Sequence, residues 1–455
     1  MKVASIITEY NPFHEGHKYH IDQTKKITDS DYIIVVMSGD FTQRGTPAIM
    51  DKYARTKQAL LSGADLVLEL PVYFSTASAE GFAFGAVSIL EKLGIADFLV
   101  FGSESGNITQ IQNTADFLTK EPSEFSQQLQ SFLKQGFSFP KAKASALKSF
   151  FPNWDETFLS SSNNILGIEY CRALNYFSST ITPMTISRKD NLYNDTSLSE
   201  EGKLSSATSI RKVLMDMDIE NTNPAEDFII SQPKGLQRNL PDFDLLASHL
   251  PVDSLTVIKE HWGISTPVSS YDFSLLLKYK LCMENRMSLQ SYLDVTKELS
   301  DRIYNHLNFY QDFDSFCNLL KTKELTYSRI SRSLLHILLE LKKEEFDLFC
   351  SGNSTGSVTD TQTEPKEKFS PKDSYGRYAR ILGFRKSATP LLHEIKKKSS
   401  IPLISKLSDS VKELDTVALS MLQKDIQASN LYQSVVSHKF HGSFQNEFQR
   451  KLVIM

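Results

Sequence analysis

Apolar residues follow two different rhythms along this chain. In the first two hundred positions they come as short, nearly continuous runs: Val3–Thr8, Tyr32–Ser38, Leu66–Leu70 and Phe98–Phe101. Such runs, without polar alternation, suit strands covered on both faces, as in a parallel sheet. Between them, His17–Lys26, Asp51–Ser62 and Ala79–Leu93 carry apolar residues at helical spacing. The alternation predicts right-handed strand–helix–strand units and a doubly wound parallel α/β sheet. Ligands of such sheets bind beyond the carboxyl ends of the strands, where the strand order reverses. The residues after each strand therefore matter most.

The rhythm then changes. Val268–Arg286, Ser288–His306 and Tyr327–Lys342 have helical spacing and few strand signals, so 219–350 reads as a mostly α-helical domain. Residues 351–368 are polar and aperiodic, with two glycines and a proline, and read as a linker or exposed loop. Residues 369–455 read as a small, basic C-terminal region of mixed or helical structure. With the α/β domain at 1–218, this partition suits 455 residues at about 150 per domain.

Composition narrows the classes. The chain is 40% hydrophobic and 23% charged, which argues against wholesale disorder. It has no apolar stretch long enough to span a membrane, and its amino terminus reads as a strand rather than a signal peptide. The four cysteines, Cys171, Cys282, Cys317 and Cys350, are scattered without metal-ligand spacing. They fit a reduced, cytoplasmic setting and no structural zinc. A net charge of −4 neither demands nor excludes a nucleic-acid partner, since only a local basic face matters.

The most informative segment is Glu9-Tyr10-Asn11-Pro12-Phe13-His14-Glu15-Gly16-His17, where the first strand gives way to the first helix. Pro12 holds the turn extended and Gly16 admits a close ligand. A helix start supplies free N–H groups and the positive dipole end. Imidazoles there can donate hydrogen bonds to a pentacoordinate phosphate and to departing pyrophosphate. The plain alternative is a loop with two surface histidines. The strand-before, helix-after context favours a nucleotide-phosphate site. A second segment, Ser205-Ser206-Ala207-Thr208-Ser209-Ile210-Arg211, has Thr208 or Ser209 to cap a helix and Arg211 to meet a triphosphate. Alone it is equally a plain cap.

Together the two segments resemble the signatures of the HIGH-motif nucleotidyltransferase superfamily. Longer blocks resemble the bacterial tRNA(Met) cytidine acetate ligases: Ile6–His20, Val36–Gly45, Ala54–Lys57, Gly63–Pro71, Phe101–Glu104, Asn163–Gly167, Ser206–Arg211, Arg380–Phe384 and Ile401–Lys406. That resemblance implies a nucleotidyltransferase-like fold in 1–218 and a ligase activity. Acetate and ATP give acetyl-adenylate and pyrophosphate. The acetyl group then passes to N4 of the wobble cytidine, position 34, of elongator tRNA(Met).

The resemblance assigns ATP binding to Ile7, Thr8, Glu9, Tyr10, Asn11, Pro12, Phe13, His14, Glu15, Gly16, His17, Lys18, Tyr19 and His20. His14 and His17 would be catalytic, stabilising adenylyl transfer rather than attacking. Gly102, Asn163, Arg188, Ser209 and Arg211 are further expected ATP contacts; Asn163 and its neighbour Asn164 are not told apart by the sequence. Asp40, Gln43, Arg44 and Gly45 follow the second strand, and Arg44 and Gly45 are candidates to shape the pocket or receive the cytidine. Asp65 and Glu69 read as buried, paired carboxylates. Magnesium is expected on the ATP phosphates, with no protein metal cage.

For the tRNA the expected contacts are Arg377, Arg380, Arg385, Lys386, Lys396, Lys397 and Lys398, with Tyr375, Tyr378 and Phe384 interleaved. Basic groups neutralise phosphates and aromatics stack on bases; the alternative is a solvated basic helix. Two other functions share the nucleotide segment: a small-molecule adenylyltransferase, and a non-catalytic RNA-binding protein with a nucleotide pocket.

Overall fold

The computed structural model describes residues 1–188, 206–221, 241–351 and 374–455. β1 (Val3–Thr8), β2 (Tyr32–Ser38), β3 (Leu66–Leu70), β4 (Phe98–Ser103) and β5 (Thr182–Ser187) lie parallel in the order β5-β4-β1-β2-β3. Val3 pairs with Tyr32 and Thr8 with Met37 along the β1–β2 ladder. The order reverses between β1 and β4, which opens a crevice at their carboxyl ends. All five residues of β3 are buried, as the continuous apolar runs require.

The helices begin and end where local chemistry dictates. α1 (Glu15–Thr28) starts at His14 and stops at Asp29, which adopts a left-handed conformation with φ 48°. α2 (Lys52–Leu61) starts at Asp51, whose carboxylate accepts from the N–H groups of Tyr53 and Ala54 at 2.9 Å. The Ala79–Leu93 helix stops at Gly94, with φ 65°, a conformation that favours glycine. In the middle of the chain, the two long helices expected over Val268–Arg286 and Ser288–His306 are broken up. Asn285 caps a short Arg286–Leu289 helix and Thr296 caps Lys297–His306. Such side chains bond the backbone locally and restart a helix rather than continue it.

The C-terminal region is not a separate unit, contrary to the sequence expectation. β6 (Ala379–Phe384) pairs antiparallel with β3, and β7 (Leu403–Ile404) and β8 (Val453–Ile454) both pair with β6. The tail therefore completes the sheet begun at residue 3. Its long Thr416–Lys439 helix buries Met421, Leu422 and Tyr432 in the main core. The seam is sealed by a buried charge cluster. Lys52 contacts Glu69 at 2.7 Å and Glu447 at 2.8 Å, and Arg380 lies 2.8 Å from Glu69 and also pairs with Glu447. Glu69 is thus buried and paired, as the sequence suggested; Asp65 likewise is buried and accepts from the Ile33 N–H at 2.9 Å. The expected 351–368 linker lies outside the described residues apart from Ser351, which ends the Lys343–Ser351 helix.

The helical middle packs onto the sheet domain close to the crevice. His336, on the Tyr327–Leu338 helix, is fully buried between the carbonyls of Thr76 and Leu293, 3.0 Å from each. On the same helix, Ser331 donates to the Gly45 carbonyl at 2.9 Å. Gly45 has φ 78°, and a Cβ there would lie 2.3 Å from the Arg332 nitrogen. Only glycine lets the loop after β2 approach that helix so closely.

Candidate active site

A cavity of about 200 Å³ sits at the carboxyl ends of β1 and β4, lined by the loop after β1, the first turns of α1, Gly102, Asn163, Arg188 and the start of the Ala207–Asn221 helix. Its floor is built by α1. His14 occupies the N-cap and its Nδ1 accepts from the Gly16 N–H at 3.0 Å, while His17 Nδ1 accepts from the His14 N–H at 3.3 Å. Each imidazole therefore keeps its proton on Nε2 when neutral. The rings lie 3.8 Å apart, centroid to centroid.

Electrostatics keeps these rings neutral. Burial pushes the His14 pKa down to about 3, helped by the positive charges of Arg188 and Arg211. Burial likewise holds His17 well below the usual range, with His14, Arg188 and His20 adding to it, and pushes His20 down to about 4. Neutral donors beside two guanidinium groups and a helix amino terminus form a receptor for a polyanion.

The loop ahead of α1 is held rigid. Tyr10 has φ 48°, a sparsely populated conformation for a tyrosine, and its ring packs edge-on against Phe13 and His17 at 4.7 and 4.8 Å. Asn11 Oδ1 accepts from the Ile49 N–H at 2.8 Å. Arg211 Nη1 donates to the Asn11 carbonyl at 2.7 Å, so the two signatures touch although 200 residues separate them. Behind the loop, the fully buried Arg55 donates to the carbonyls of Glu9 at 2.6 Å, Ser38 at 3.1 Å and Met50 at 3.0 Å, and to that of Gly39. One guanidinium thus ties the ends of β1 and β2.

The cavity takes in Ile7, Thr8, Glu9, Tyr10, Asn11, His14, Gly16, His17, Tyr19, His20, Gly102, Asn163, Arg188 and Arg211. Of the Asn163–Asn164 pair, Asn164 is buried, accepts from the Ser105 N–H at 3.1 Å and donates to the Phe158 carbonyl at 3.1 Å, while Asn163 lines the cavity. Five expected ATP contacts lie outside its wall. Pro12 and Phe13 are buried beneath the loop. Glu15 uses its N–H on the His249 carbonyl at 3.1 Å. Lys18 pairs with Asp22 one helical turn on. Ser209 is fully buried and donates to the Ser206 carbonyl at 2.8 Å. The second helix is capped by Ser206, whose hydroxyl accepts from the Ser209 N–H at 3.1 Å, so Ser206, Ala207 and Thr208 face the cavity instead. The sequence reading also missed Thr42, Thr46, Tyr170 and Ser187. Their available signal was position: each ends or follows a strand, or lies on a helix flanking the crevice.

Three of the basic residues expected to meet RNA are engaged in the fold. Arg377 is 9% exposed, Arg380 is locked to Glu69 and Glu447, and Arg385 donates to the Leu60 carbonyl at 2.8 Å at the end of α2. Lys386, Lys396, Lys397 and Lys398 are exposed. The last three end the Thr389–Lys398 helix, where cations also complement the dipole. That helix end packs beside Gly94, and Ser400 donates to the Lys92 carbonyl at 2.9 Å, just ahead of β4. The triplet therefore lies toward the amino ends of the strands, and the cavity at their carboxyl ends.

The comparisons with known proteins agree with this geometry. The model of the family described as HIGH Nucleotidyl Transferase matches residues 1–358 and 353–447. A protein named tRNA(Met) cytidine acetate ligase from Thermoanaerobacter sp. (strain X514) is 38% identical over 435 residues, covering 95% of each chain. One of the same name from Acetivibrio thermocellus is 36% identical over 458 residues, covering 100% of each. Among solved structures, Thermotoga maritima TmcAL bound with alpha-thio ATP superposes with TM-score 0.82 at 29% identity, covering 100% of this chain and 99% of that one. The apo form of that protein gives 0.84 at 30% identity, covering 100% of both. Full-length similarity of this kind, on a chain whose two signature segments meet at one phosphate-receptive crevice, places the protein in the tRNA(Met) cytidine acetate ligase family of HIGH nucleotidyltransferases.

Proposed function

We propose that this chain activates acetate with ATP and acetylates N4 of the wobble cytidine, position 34, of elongator tRNA(Met). The observation that carries the reading is the meeting of His14, His17, Arg188 and Arg211 around one cavity at the strand-order reversal. In the first step an acetate oxygen attacks the α-phosphorus of ATP, the bond to the bridging oxygen breaks, and pyrophosphate leaves with its electrons. The Nε2–H groups of His14 and His17 and the guanidinium of Arg211 face the charge that builds on the phosphate oxygens. The lone-pair nitrogen of each ring, Nδ1, is engaged by a backbone N–H, which suits the rings to donate from Nε2 rather than to attack. In the second step the cytidine amine attacks the acetyl carbonyl, a proton leaves the nitrogen, and AMP departs.

Magnesium enters with the triphosphate. Bound with the triphosphate, it would be held chiefly by phosphate oxygens and water and would offset their charge. No described helix is long and apolar enough to cross a membrane, and a tRNA substrate and scattered thiols fit a cytoplasmic enzyme.

The test is ATP–pyrophosphate exchange with and without acetate, followed by incubation with labelled acetate and total tRNA. Acetate-dependent exchange and label in N4-acetylcytidine support the reading. Exchange that depends on a nucleotide instead would make the protein a small-molecule adenylyltransferase, and no exchange would make it a binder.

A further inference from the structure

A second chamber, of about 790 Å³, opens beside the ATP cavity and shares Gln43, Arg44, Thr46, Leu166 and Arg211 with it. It lies between the loop after β2, the Ala207–Asn221 helix and the start of the Tyr327–Leu338 helix. Its charged lining is one-sided: Arg44, Arg211, Lys212, Lys321 and Arg332 against Asp314. That acid already accepts from the Tyr327 hydroxyl at 2.7 Å, and Arg332 is paired with Asp294 at 3.1 Å. Lys212 and Lys321 are both exposed in its lining. The chamber is also a consequence of fold: the Gly45–Ser331 contact brings Arg44 beside the helical middle.

The inference deepens the functional reading and rests on it. An acceptor base must reach the activated acetyl group from a side that ATP does not fill. It must also leave its stack to do so, and its flanking phosphates then need neutralising close to the reaction centre. The Lys396–Lys398 triplet is at the other end of the strands and does not meet this need. We propose that the chamber seats the single-stranded RNA flanking the reacting cytidine, with Lys212, Lys321 and Arg44 facing its phosphates and the Tyr327 ring offering a stacking surface.

The test compares the full-length wild type with K212A/K321A and with K396A/K397A/K398A, in acetate-dependent pyrophosphate exchange and in tRNA acetylation across a salt series. For K212A/K321A the expected result is a KM for tRNA raised about tenfold. The slope of log KM against log salt should fall by roughly 0.7 per lysine removed, with exchange retained and the KM restored in K212R/K321R. An unchanged KM and slope in K212A/K321A with normal exchange overturns the inference while leaving the function standing. A loss of slope confined to K396A/K397A/K398A overturns it too and moves the strand to the far end of the sheet. Wild type without acetate-dependent exchange would instead overturn the functional reading itself.

Discussion

His14 is a single side chain with three tasks: it caps α1, it presents a donor to the cavity, and it stays neutral inside a positive field. Replacing it with Asn keeps capping capacity but moves the donor. His14→Asn should lower the rate of acetate-dependent exchange by about 100-fold or more, with the near-ultraviolet circular dichroism unchanged. Its titration is a second readout. With the folded pKa near 3 and the unfolded value near 6.5, the unfolded chain binds more protons between these limits, so stability falls as pH drops below about 6.5. That contribution is worth up to about 1.4 kcal/mol per pH unit. Denaturant melts at pH 7 and pH 5 should show a smaller loss in His14→Asn than in the wild type. Arg55 shows the other kind of residue, one that no substrate touches. Arg55→Met strands the carbonyls of Glu9, Ser38, Gly39 and Met50. It should cost about 3–5 kcal/mol of stability in denaturant titration, with Arg55→Lys intermediate because an ammonium cannot span all four. The motif residues were legible because their chemistry is local: a capped helix start after a strand. Arg55 stood in a recognised block, but four carbonyls from distant segments are not visible in a sequence.

At the scale of elements, the strands and three of the four helices of the first hundred residues follow from pattern alone; the short Val72–Ser75 helix does not, while the Ala79–Leu93 helix ends at the positions its periodicity gives. The helical middle was less legible. Apolar spacing continues across Asn285 and Thr296, yet both residues cap new helices. The loop after β2 is where elements meet, since it lines both cavities. Gly45 adopts φ 78° against the Arg332 backbone, so Gly45→Val meets both a disfavoured dihedral and a clash. We expect a loss of about 2–4 kcal/mol and a larger proportional rise in the KM for tRNA than for ATP, measured by steady-state acetylation.

Across the whole molecule, the surprise lies in the tail. Strands β6, β7 and β8 extend a sheet whose first strand lies more than 370 residues upstream, and Lys52, Glu69, Arg380 and Glu447 lock the join. Burial would raise the Glu447 carboxyl, but Lys52 and Arg380 overcome it and pull its pKa down to about 2. Glu447→Gln removes a counter-charge from two buried cations and should cost about 3–5 kcal/mol in thermal or denaturant unfolding. A surface pair such as Lys397–Glu394 should contribute less than about 1 kcal/mol when broken.

The sequence by itself determined the alternating strands and helices, the carboxyl-end location of the site, and the two signature segments, because hydrophobic period, capping and turn chemistry act between near neighbours. Only the tertiary structure decided that Arg380 seals a core while Lys321 faces an open chamber, that Asn163 rather than Asn164 lines the cavity at the strand ends, and that Ser206 rather than Ser209 caps the Ala207–Asn221 helix and lines that cavity. Burial and charge pairing are set by whichever distant segment packs alongside, and identical basic residues in one run can therefore end in the core, at a helix end or in solvent.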